Sequence, residues 1–218
     1  MGTVHRRQLP TLTPIDTPLC AVASADSDGP VALELPVQWL WDITDEFIYQ
    51  FQVFCQYRSN LANKSEEELE RLRDAAQIWN VQTVMNILHS LADKANIVEQ
   101  LRVGREGGNV VEVAGAYGQL NLYKMLGYFS LIGLLRLHCM LGDYYLALRS
   151  LDYMDMELNK KALFARVTAC HITAFYYVSF AYIMLRRYRD AANTLSSILF
   201  FLSRTRQYHS RSFQYDQV

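Results

Sequence analysis

The chain has 218 residues, with 21 Lys and Arg against 22 Asp and Glu for a net charge of −1, and 51% of its residues are hydrophobic. That balance excludes a disordered chain and removes the broad positive field of a general nucleic-acid binder. All five prolines (Pro10, Pro14, Pro18, Pro30 and Pro36) precede the first strongly apolar stretch, and from Asp143 to Val218 the chain has neither Gly nor Pro. β-Hairpins and phosphate-binding loops need such residues, so the second half reads as helices.

Residues 1–30, rich in Thr, Pro, Ser and Asp, read as a tail outside the folded part. No apolar run follows Arg6 and Arg7, which excludes a secretory signal in this stretch. Beyond Pro36, Leu40, Ile43, Phe47, Phe51 and Phe54 keep the 3/4 spacing of one helical stripe, widened by Ile48 and Cys55. Ser65 stands three residues before Glu68, a capping box that opens a short helix with Leu69 and Leu72 on its apolar edge. Asn80 is placed to cap the next helix, whose stripe is Val81, Val84, Leu88, Leu91 and Ala95 and which is expected to run out just before the loop at Gly104. Gly104, Gly107 and Gly108 make a turn, since no Lys-Ser/Thr follows them as in a P-loop.

A long apolar helix is expected over 120–141, closed by Gly142. Its most apolar part, Met125–Leu141, is interrupted by Arg136 and His138 and is short for a membrane span. Three further helices are expected near 143–157, 162–185 and 187–207, for about seven in an all-α chain. Within this half, Tyr144 and Ala147 correspond to Tyr188 and Ala191, each pair opening the helix that follows a long apolar one. With Tyr182 on the preceding helix, these residues fit a tetratricopeptide-like packing pattern: the alanine permits close approach and the tyrosine fills the wedge at the turn. Ala147 and Ala191 are 44 residues apart, so the pattern predicts an irregular α-solenoid over 31–208.

Candidate chemistry is sparse. Asp42, Asp45 and Glu46 read as the solvated side of an amphipathic helix, and His5, His89, His138, His171 and His209 are dispersed. The cysteines Cys20, Cys55, Cys139 and Cys170 contain no C-x-x-C pair and read as reduced thiols of a cytoplasmic protein. No nucleophile elbow occurs, so the residues predict no catalytic site, cofactor, metal or small-molecule substrate. Arg186, Arg187 and Arg189 flank Tyr188, a composition suited to contact with RNA or a protein partner, although cations are also favoured at a helix C-terminus.

The runs LELPVQWLWDITDEFIYQFQ (33–52), IWNVQTVMNILHSL (78–91), LYKMLGYFSLIGLLRLH (122–138), LGDYY (141–145), ELNKK (157–161) and YYVSFAYIMLRRYRDA (176–191) resemble the L-subunit family of eukaryotic translation initiation factor three. The resemblance covers about 28–205. It implies a non-catalytic cytoplasmic subunit, with helical repeats leading into a C-terminal PCI domain. The implied partners are other subunits of the factor, the K and E subunits especially, and the small ribosomal subunit through the complex, in recruitment of mRNA and initiator tRNA. Against that pattern the chain reads as a middle portion, with 209–218 as a truncated end and no PCI domain. A helical-repeat scaffold of the proteasome lid or signalosome, and an RNA-binding repeat, are the alternatives. No membrane contact is implied.

Overall fold

A computed structural model describes residues 18–24, 29–60, 64–74, 79–152, 154 and 167–215. Among these the chain is all-α, a helical-repeat fold without strands, and it forms ten helices: α1 (Pro18–Ser24), α2 (Val37–Ser59), α3 (Glu66–Asp74), α4 (Val81–Lys94), α5 (Ile97–Arg105), α6 (Val110–Gly118), α7 (Asn121–Leu141), α8 (Tyr144–Arg149), α9 (Thr168–Met184) and α10 (Tyr188–Tyr215). The chain divides into two compact units, 1–133 and 134–218.

In the first unit α2 begins at Pro36, whose missing N–H costs nothing at a helix entry. Leu40, Trp41, Thr44, Phe47, Ile48, Phe51 and Phe54 are buried, so the stripe runs through Ile48 and takes in Trp41, with Ile43 half-buried. Trp79 packs on Phe47 and Phe51, with ring centroids 5.6 and 6.3 Å apart. Both expected caps form. Glu68 N donates to Ser65 Oγ (3.4 Å) while Ser65 N donates to Glu68 Oε2 (3.0 Å), and Asn80 Oδ1 accepts from Thr83 N (2.6 Å). In α7, Gly127 lies where an added Cβ would come within 2.7 Å of Ala95 Cβ and 3.2 Å of Leu91 O. Its missing side chain lets α7 approach the end of α4 at backbone distance.

The expected tail is corrected at 18–24, where α1 buries Leu19, Cys20 and Ala23 against α4 and α2. Lys94 Nζ donates to Val22 O and Ser90 Oγ to Ala23 O, so α4 satisfies carbonyls at the end of this short helix. Residues 1–17 and 25–28 of that tail lie outside the described residues.

The expected seven helices become ten for two further reasons. Asn96 takes φ 47°, separating α5 from α4, and its Nδ2 donates to Val113 O at 2.7 Å. The Gly-containing stretch 110–118 forms α6 around a non-helical Gly115, with Gln100 Nε2 bridging Ala95 O (2.6 Å) and Gly118 O (3.2 Å).

α7 starts four residues before the apolar stretch singled out in the sequence. At 21 residues it is long and apolar enough to cross a membrane, yet most of it is buried within the protein. In the second unit α9 packs against α8 and α10. α8 is six residues long, shorter than the expected 143–157 helix, and 155–166, where that helix would end and α9 was expected to begin, lies outside the described residues. α10 runs on to Tyr215, beyond the expected end at 207.

Candidate interaction site

The residues singled out by the repeat lie at two helix corners of the second unit. At the first, α7 ends and Gly142 takes φ +86°. Gly142 N donates to Cys139 O (3.3 Å), Asp143 N to His138 O (2.9 Å) and Ala147 N to Asp143 O (2.9 Å). At the second, Arg186 takes φ +60°. Arg186 N donates to Ile183 O (3.0 Å), Arg187 N to Tyr182 O (2.8 Å) and Ala191 N to Arg187 O (3.1 Å). Every donor and acceptor of the first corner recurs 44 residues later. Both are Schellman closures, in which a left-handed residue lets the backbone satisfy the last helical carbonyls. The tyrosine–alanine repeat seen in the sequence is thus accompanied by a repeat of backbone hydrogen bonds.

The side chains agree in part. Ala147 and Ala191 are both buried, as close helix approach requires. Tyr144 is half-buried and meets Phe180 edge-on with ring centroids 5.9 Å apart. Tyr188 departs from the expected wedge: it is 63% exposed. Tyr182, half-buried on α9, carries the Arg187 guanidinium 4.6 Å from its ring centroid, and that guanidinium also pairs with Asp190 Oδ2 at 2.7 Å. Arg186 and Arg189 are exposed and have no ion-pair partner among the described residues. Sequence reasoning missed the exposed Ile183 and Met184 beside them; the signal for both was their position one turn before Arg186, the counterpart of Gly142.

The remaining candidates occupy ordinary structural positions. Asp42 accepts from Gln38 Nε2 (2.8 Å) on the exposed side of α2, where Glu46 accepts from Gln50. His171 is buried between Phe175 and Phe201, with centroids 4.8 and 4.3 Å away, and burial holds its pKa below the usual imidazole value. Burial pushes the Cys139 thiol up to about 12, and its Sγ lies 3.6 Å from Tyr177 O. Such a thiol is a poor nucleophile. Among the described residues no disulfide joins Cys20, Cys55, Cys139 or Cys170, and His89 is exposed on α4. Among the described residues no three His, Cys, Asp or Glu side chains gather as a metal site. His5 lies outside the described residues.

Residues 19–218 match the model of the family described as RNA polymerase I-associated factor PAF67. The chain belongs to this family. The match to PAF67 begins at 19, nine residues before the resemblance traced in the sequence, and takes in the core residues of α1. Curated relatives include eukaryotic translation initiation factor 3 subunit L of Danio rerio (57% identical), Mycosarcoma maydis (58%) and Homo sapiens (55%), each over 194 residues and 88% of this chain. The resemblance to the L subunit is thereby borne out. The chain spans 33%, 29% and 34% of those three relatives.

Proposed function

We propose that this chain is a non-catalytic, cytoplasmic scaffold portion of translation initiation factor three. In this reading it assembles with the other subunits, the K and E subunits in particular. Through the complex it supports binding of the small ribosomal subunit and recruitment of mRNA and initiator tRNA. The observation that carries the reading is 55–58% identity over 88% of the chain to relatives named as subunit L. The helical-repeat corners are consistent with it, because stacked helix pairs present side chains to partners without needing a cleft.

A second reading follows from the family's description, which names association with RNA polymerase I. Affinity purification of the tagged chain from eukaryotic cells at moderate salt separates the two. Recovery of initiation-factor subunits, K and E among them, is expected. Recovery of polymerase I subunits in their place would favour the second reading. Proteasome-lid or signalosome subunits would contradict both.

A further inference from the structure

The α9–α10 corner departs from its counterpart in one respect that the fold does not require. The first corner uses glycine at its left-handed residue, and the second uses arginine. A side chain in that conformation is disfavoured, and such backbone outliers gather where a side chain serves contact. From Ile183 to Arg189 every residue except half-buried Leu185 is exposed, with Ile183 at 42%, Met184 at 48% and Tyr188 at 63%. The corner therefore presents aliphatic, aromatic and guanidinium groups together. Asp190 neutralises Arg187, leaving the guanidinium groups of Arg186 and Arg189.

We propose that this corner docks an acidic segment of another protein, one that offers a pair of carboxylates beside an apolar side chain. Planar guanidinium groups bind carboxylates through paired N–H donors, and Arg, Tyr and Met are enriched in protein interfaces. Exposed Ile183 and Met184 give a phosphate backbone nothing to bind, whereas an apolar partner residue would cover them. RNA would also call for a longer track of cations than two unneutralised arginines on a chain of net charge −1. The proposal concerns the chemistry that the corner accepts and does not depend on which assembly supplies the partner. Failure of the experiment below would leave the co-purification result untouched.

The test is fluorescence anisotropy of the full 218-residue chain with three probes: a short synthetic peptide alternating Glu and Asp with Leu and Phe, its Gln/Asn counterpart, and single-stranded oligouridine. The acidic peptide is expected to bind about tenfold more tightly than the amide peptide, and both more tightly than oligouridine. Arg186→Gly is expected to weaken the acidic peptide by about tenfold while raising the melting temperature, because it removes a contact and a strained conformation together. Arg189→Gln, on the first turn of α10, is expected to weaken binding without moving the melting temperature. Equal binding of acidic and amide peptides, preference for oligouridine, or wild-type affinity in both variants would overturn the proposal.

Discussion

The corners at Gly142 and Arg186 share one backbone solution and carry different side chains. At the first, the left-handed position is held by the residue that adopts it without a Cβ penalty, and an added Cβ there would meet nothing within 4 Å. Any cost of substitution at Gly142 is thus conformational rather than steric. At the second, arginine takes the same conformation while its side chain is exposed, and Tyr188 faces solvent where Tyr144 meets Phe180. Hydrogen bonding and small-residue packing define the repeat. The exposed side chains at each corner are left to other uses.

The comparison breaks most readily at the alanines. Ala147→Phe and Ala191→Phe should each destabilise the second unit by about 1–3 kcal/mol, because both side chains are buried where helices meet. Urea unfolding of the two variants should give similar losses, and a loss at one position alone would mean that the corners are packed differently. The tyrosines sharpen the contrast. Tyr144→Ala should cost about 1 kcal/mol for the lost edge contact with Phe180, whereas Tyr188→Ala should stay within about 0.5 kcal/mol.

His171 supplies a smaller, pH-dependent effect on the same unit. Its folded pKa lies below its ordinary value of 6.5, so the unfolded chain takes up the proton more readily. The contribution of neutral His171 is complete above about pH 6.5 and declines as the pH falls through that value toward the folded pKa. Melting temperatures from pH 8 to 5 should fall less steeply for His171→Phe, with about pH 6.5 as the onset of the difference.

Features set by short-range chemistry were legible in the sequence. The Ser65–Glu68 and Asn80 caps are local hydrogen bonds, and the α4 stripe follows from spacing alone. α1 was hidden because seven residues do not sustain a helix alone; Lys94 and Ser90, distant in sequence, hold its end. The division between α4 and α5 was hidden because Asn96 adopts its left-handed conformation where a tertiary hydrogen bond to Val113 O is available. At the candidate site the arginines and tyrosines were visible as composition. Their split into Arg187, stacked on Tyr182 and paired with Asp190, and outward Arg186, Tyr188 and Arg189 depends on the direction in which α10 leaves the corner.

The most direct measurement is thermal unfolding of the reciprocal pair Gly142→Arg and Arg186→Gly. If the corners are one backbone unit with strain accepted at the second, Gly142→Arg should cost about 1–2 kcal/mol. Arg186→Gly should gain about 0.5 kcal/mol, the relief of strain being partly offset by the greater freedom of glycine in the unfolded chain. A lower melting temperature for Arg186→Gly would show that the arginine side chain itself holds the corner together, and would contradict the account.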